Sequence, residues 1–201
     1  MDPTEPLPDP QILTFDTAKD VDSYEPSPQD SLQISQERQD IVDAITSLYS
    51  GSASKDNLEI YTPNAIYDDP LNHCDNKYTT AVFRENESRA NREIRYKIAG
   101  QWHGIPKFMT SSKTLKTEVV SSTPTDLVFK LRQEYSPRLS STKAIDSLVS
   151  LRIEKDENEN ERVSYHKDTW NDKDYNYQGI AMLLKRLNGD YLTNITQPPK
   201  T

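Results

Sequence analysis

The residues best suited to chemistry in this 201-residue chain lie close together near its end: His166 and Asp168, with Trp170 two positions further on. On a strand these three share one face, while Val163, Tyr165, Lys167 and Thr169 share the other. Histidine changes charge near neutral pH, and a neighbouring carboxylate can fix its tautomer, so the pair suits general acid–base work. Strand neighbours two apart stand about 7 Å from each other, so a direct hydrogen bond needs favourable rotamers. The same spacing also fits a histidine on a wet sheet face. Asp68 and Asp69 form a second constellation. Only one of them can share the side of Tyr67, and a carboxylate alone in an apolar cavity acquires a raised pKa and can abstract a proton. Asp68 is the candidate taken with His166 and Asp168. Asp69, before Pro70, reads as a turn or helix cap. Tyr67, Trp102, Tyr135 and Trp170 can line a ligand cavity with polar tips, or serve as ordinary core.

Other chemistries lack material. His73-Cys74 has no second cysteine or histidine cluster beside it, so no metal site is expected. Five glycines make no phosphate-cradling loop, dinucleotide fingerprint or nucleophile elbow, and no cofactor is implied. The single cysteine excludes an internal disulfide and suits a reducing compartment. The first residues carry neither a basic region nor an apolar run, and no stretch reaches the ~18 apolar residues of a membrane span. A cytoplasmic location is the expectation, with the nucleus open, and no membrane partner.

The elements that must hold these residues follow from pattern. Residues 1–30 carry six prolines and eight acids against Lys19 alone, which is seven of the chain's eight net negative charges. Such a segment buries too little apolar surface to offset its ordering entropy and predicts a disordered acidic tail. The nearly neutral remainder offers no broad surface for a phosphate backbone, so no nucleic-acid partner is expected. Ile41, Val42, Ile45, Leu48 and Tyr49 form the stripe of an amphipathic helix, capped through Asp30 and Gln33 and stopped at Gly51. A shorter helix is predicted over 54–61, then a short strand over 65–70 closed by proline. Leu127, Phe129, Leu131, Gln133 and Tyr135 alternate with Val128, Lys130, Arg132 and Glu134, giving a strand with one wet face. Strands over 115–120, 145–153 and 163–170 flank it, and short connections make three consecutive antiparallel pairings the simplest topology. Ile180, Leu183, Leu184 and Leu187 predict a terminal helix ended by Asn188-Gly189. The class is α+β: one domain over 31–197, N-terminal helices packed on an antiparallel sheet, an extra C-terminal helix, and a charged insertion over 76–94.

The phrase Tyr61-Thr62-Pro63-Asn64-Ala65-Ile66-Tyr67-Asp68-Asp69-Pro70, in this order of elements, resembles the SnoaL-like, nuclear-transport-factor-2-like superfamily. Members often carry a phrase close to Y-x-P-D-A-x-Y-x-D-P, and Asn64 stands where an acid is common. The runs 96–102 and 165–171 are similar to those of fungal members, and the resemblance spans residues 35–170. It implies a strongly curved sheet wrapped around helices into an open-ended cone. Some relatives are dehydratases, isomerases or cyclases and others only bind, so fold does not decide function. Three functions follow as expectations. The first is binding of a small hydrophobic ligand in the cone. The second is a cofactor-free lyase or isomerase using His166 with Asp68 or Asp168. The third is an interaction module using the sheet face or the acidic tail, a homodimer through the sheet face being the mode typical of this kind of fold.

Overall fold

A computed structural model of the chain describes residues 21, 23–70, 73–74, 98, 102–103, 105–106, 109–138 and 141–170. The expected C-terminal helix and the charged insertion lie outside these residues. Helix α1 (Gln36–Tyr49) buries Ile41, Val42, Ala44, Ile45, Leu48 and Tyr49 along one side, as the stripe requires. Its cap is Ser35, whose hydroxyl accepts from Arg38 N, rather than the Asp30 pair. It ends in a Schellman motif: Gly51 N bonds Leu48 O, Ser52 N bonds Ser47 O, and Gly51 takes φ +87°. Helix α2 is a single turn (Lys55–Leu58), shorter than the pattern implies, because the chain is already extended at Tyr61.

Among the described residues six strands follow: β1 (Tyr61–Asp68), β2 (His73–Cys74), β3 (Met109–Ser122), β4 (Asp126–Pro137), β5 (Lys143–Lys155) and β6 (Glu161–Trp170). They form one sheet in the order β2-β1-β6-β5-β4-β3. The three antiparallel pairings β3–β4, β4–β5 and β5–β6 are those expected. Strand β1 joins the far side in parallel with β6, so the sheet is mixed. Periodicity within a strand carries no information about this long-range pairing. Register shifts interrupt the β3–β4 ladder at three places, and each such bulge bends and twists its strand.

The inner face of this bent sheet and α1 share the main core: Ile41, Ile45 and Leu48 meet Leu127, Phe129, Leu131, Val149, Leu151 and Val163. The β4 alternation holds on the inner side, where Leu127, Phe129, Leu131, Gln133 and Tyr135 turn inward, but the expected wet face is not wet throughout, because Val128 is buried with Tyr24 and Leu148. In β6 the alternation fails at one point. Arg152 pairs with Tyr165 and Ile153 with Val163, so Ser164 is an extra residue, and Val163 joins His166 on the inner face. A one-residue bulge inverts every side chain before it, which is why Val163 was placed on the wrong side by simple period-two counting. The folded body also starts before Asp30. Tyr24 and Pro26 are buried, and Tyr24 lies on the outer face of the sheet, where it packs on Val128 and Leu148.

One buried cation ties α1 to the sheet. Arg38, beneath the helix start, donates to both carboxylate oxygens of Glu161, to Ser122 Oγ, and to the carbonyls of Thr123 and Pro124. It ties the start of α1 to the β3–β4 turn and to the start of β6.

Candidate active site

Facing strands bring the site together from residues distant in sequence. Tyr67 of β1 pairs with His166 of β6, and Val149 of β5 pairs with Asp168, so Tyr67, His166 and Asp168 project to the same inner side. Helix α1 contributes Tyr49 from its last turn. The Tyr49 carbonyl, an orphan acceptor at the helix end, takes bonds from Ser112 Oγ (2.7 Å) and Gln133 Nε2 (3.2 Å), which pins this residue to β3 and β4. Gln133 is itself held by Thr114 Oγ1 at 2.7 Å.

The polar atoms form one chain. Asp168 Oδ2 accepts from Tyr49 OH at 2.8 Å and from Trp170 Nε1 at 2.9 Å. Tyr49 OH lies 3.4 Å from His166 Nε2, and His166 Nδ1 lies 2.8 Å from Tyr61 OH. Tyr49 has one proton and gives it to the carboxylate, so its contact with His166 requires Nε2 to be the protonated ring nitrogen. Nδ1 is then the acceptor, and Tyr61 donates to it. The donors therefore run in one direction, Tyr61 to His166 to Tyr49 to Asp168. His166 and Asp168 do not touch; Tyr49 joins them.

Aromatic rings wall this chain. Trp102 meets Tyr49 edge-on with centroids 4.8 Å apart and Tyr67 at 5.2 Å, and it stacks beside His166 at 6.0 Å. Tyr67 stands edge-on to His166 at 4.9 Å, and Tyr61 lies parallel to it at 6.1 Å. His166 is fully buried, and Tyr49, Tyr61, Tyr67, Trp102 and Asp168 are nearly so. Trp170 and Tyr135 are half-buried and stand at the end of the sheet where β4 finishes and β5 begins.

Burial in this enclosure disfavours charge and sets the protonation states. Desolvation lowers the His166 pKa from 6.5 to about 3, so the ring is neutral. Desolvation raises Asp168 from 3.8 to about 7, against the bonds from Trp170, Tyr49 and Ser147, with a further upward push from Asp69. The tyrosines are pushed up by desolvation, and in Tyr49, Tyr67 and Tyr135 also by the nearby carboxylates. Two donors occupy Oδ2, whereas Oδ1 meets no partner in hydrogen-bond geometry, although Ser147 is near enough to favour the charged form. Oδ1 is accordingly the oxygen that neither Tyr49 nor Trp170 occupies. Trp102 Nε1 is likewise buried without an acceptor in bonding geometry, though close enough to Tyr61 to favour the tyrosinate.

Of the residues singled out from sequence, His166, Asp168, Tyr67, Trp102, Tyr135 and Trp170 converge here. Asp68 does not. It faces the other side of β1, where it pairs in register with Lys167 and accepts from Tyr165 OH at 3.3 Å. Asp69 comes to the inner side instead and accepts from Tyr67 OH at 2.7 Å, because the strand ends at Asp68 and alternation stops there. Tyr49 and Tyr61 were missed. Tyr49 is the last member of the α1 stripe, where an aromatic reads as core, and Tyr61 is placed only by the parallel β1–β6 pairing. Among the described residues no three His, Cys, Asp or Glu side chains gather as metal ligands, and no helix is long and apolar enough to cross a membrane.

A helix packed into the concave face of a bent α+β sheet is the architecture that the SnoaL-like resemblance implies, and the site lies where such a cone has its interior. Solved structures with similar folds include a nuclear-transport-factor-2-like protein from Anabaena variabilis, at 14% identity and TM-score 0.42, covering 69% of this chain and 93% of that one. A ketosteroid isomerase-like protein from Erwinia carotovora atroseptica aligns at 9% identity and TM-score 0.42, covering 68% and 98%. A nuclear-transport-factor-2-like superfamily protein from Salmonella enterica aligns at 12% identity and TM-score 0.42, covering 72% and 93%. At such values these likenesses say nothing about activity. No family model matches the chain, and no curated protein matches it significantly.

Proposed function

We propose that the inner face of the sheet takes a small, largely apolar, oxygen-bearing molecule and moves a proton on it without a cofactor, as an isomerase or lyase does. The observation behind this reading is the convergence of Asp168 and a neutral His166, bridged by Tyr49, inside one aromatic enclosure. A carboxyl group with a pKa near 7 is poised for both halves of a proton transfer, since it is a usable base and a usable acid at the same pH. In the forward step Asp168 Oδ1 takes a proton from carbon next to a carbonyl, and the electron pair moves onto the carbonyl oxygen as an enolate. Returning that proton to a second carbon completes an isomerisation; giving it instead to a β-hydroxyl, as the enolate pair re-forms the carbonyl and the C–O bond breaks, releases water and completes an elimination. His166, held neutral, keeps Tyr49 oriented and leaves no second charge to compete.

Deuterium exchange tests this. Small cyclic ketones, enones and β-hydroxy ketones are incubated with the protein in D₂O, and loss of the α-proton signal is followed by NMR. Exchange at least ~100-fold faster with the natural chain than with Asp168→Asn is expected, the usual size of a positioned acid–base contribution. Exchange at equal rates would overturn the assignment of Asp168. Saturable binding with no exchange by the natural chain would reduce the site to ligand binding.

A further inference from the structure

Three buried side-chain atoms among the described residues have no hydrogen-bond partner: Trp102 Nε1, Asp168 Oδ1 and Asp146 Oδ1. Buried polar atoms are ordinarily paired, so each exception asks for a cause. Asp146 has one, because its Oδ1 lies 3.1 Å from Arg132 Nε in an ion pair. The other two atoms belong to one enclosure. Trp102 is 2% exposed and stands edge-on to Tyr49 and Tyr67, the tyrosines whose hydroxyls hold Asp168 and Asp69. The donors around it are committed: Tyr49 and Trp170 give their protons to Asp168, Tyr67 to Asp69 and Tyr61 to His166. Trp102 has no such acceptor; the Tyr61 oxygen is close but out of line. An indole N–H only donates, so whatever completes it must bring an acceptor.

An unmet donor and an unmet carboxylate oxygen in one aromatic enclosure are the two halves of an enolisation site. The carboxylate takes a proton from carbon, and the N–H meets the charge that arrives on oxygen. We propose that Trp102 is a catalytic residue whose indole N–H holds the carbonyl oxygen of an uncharged ketone while Asp168 takes the neighbouring proton, an assignment that rests on the acid–base reading of Asp168. As the C–H bond breaks, its electron pair forms the carbon–carbon double bond and the carbonyl π pair moves onto oxygen. Nε1 donates to that oxygen throughout and keeps its own proton. The restriction to uncharged ketones follows from the charges nearby. Asp69 and Asp168 both act on Tyr67 and Tyr135, so a substrate with its own carboxylate adds a third negative group to the same enclosure.

The test uses the full chain labelled with ¹⁵N. It has two tryptophans, so NMR shows two indole N–H signals, and Trp102→Phe or Trp170→Phe assigns them. Cyclohexanone is titrated in, beside methylenecyclohexane, which keeps the frame without the oxygen, and 3-oxocyclohexanecarboxylate, which adds a charge. The Trp102 proton should move downfield with cyclohexanone and stay in place with the hydrocarbon. The charged ketone should need at least ~10-fold more for the same movement, the factor that ~1.4 kcal/mol of repulsion gives. In D₂O, Trp102→Phe should exchange the α-protons of cyclohexanone ~100-fold more slowly than the natural chain, with KM little changed, as loss of a donor to the developing oxyanion requires. A Trp102 signal unmoved up to the solubility of cyclohexanone overturns the proposal, and it decides the matter should Trp102→Phe not fold. So does exchange by Trp102→Phe at the natural rate, or equal affinity for the charged ketone; each leaves Asp168 as the base. No exchange by the natural chain overturns the acid–base reading and the catalytic role of Trp102 together.

Discussion

Asp168 and His166 carry opposite pKa displacements, and together they make an unusual demand on stability against pH. Asp168 is raised from 3.8 to about 7 in the folded chain. Its stabilising contribution is therefore complete below 3.8 and lost as pH rises through about 7, a span of about 4 kcal/mol at ~1.36 kcal/mol per pH unit. His166 is lowered from 6.5 to about 3. Its contribution is complete above 6.5 and lost as pH falls through about 3, a span of about 5 kcal/mol by the same conversion. From 3.8 to 6.5 the folded pair holds one proton on Asp168, and the unfolded pair holds one proton on His166. The counts are equal, so the pair adds no pH dependence there. Removing one partner breaks the cancellation. Relative to the natural chain, Asp168→Asn should gain about 3 kcal/mol of stability between pH 4 and pH 6.5, and His166→Asn should lose about as much over the same interval. The double variant should run parallel to the natural chain. Urea unfolding at four pH values measures all four slopes, and comparing differences removes the contribution of the other carboxylates. Single variants that both run parallel to the natural chain would refute the paired burial.

Two further perturbations test the frame that positions the site. Arg38→Ala leaves Glu161 and two turn carbonyls without their buried partner and should cost about 3–5 kcal/mol in urea unfolding, whereas a surface ion pair would cost under ~1 kcal/mol. Gly51→Ala forces φ +87° on an L side chain and sets its Cβ 3.2 Å from Pro106 Cγ, so thermal denaturation should show a loss of about 1–2 kcal/mol.

Much of the scaffold was legible because its signals are local. The α1 stripe and the β4 alternation each answer to one buried face, and a face imposes its period directly on sequence. The same logic put His166 and Asp168 together, and the structure keeps them together. What was not legible is long-range or depends on single-residue irregularities. The parallel seat of β1 beside β6 decides that Tyr61 reaches His166, and nothing within either strand announces it. The extra residue at Ser164 moved Val163 inward, and the end of β1 exchanged the roles of Asp68 and Asp69. Tyr24 shows a different limit. Composition makes residues 1–30 one acidic segment, yet Tyr24 and Pro26 within it are buried, Tyr24 against the sheet.

The most direct test of the central claim is ¹⁵N NMR of the His166 ring between pH 4 and pH 8, in the natural chain and in Asp168→Asn. A neutral ring protonated on Nε2 throughout is expected, with a shift of midpoint near 7 that follows Asp168 and vanishes in the variant. An imidazole that titrates near 6.5, unaltered by Asp168→Asn, would contradict a buried neutral histidine coupled to a raised carboxylate, and with it the acid–base site.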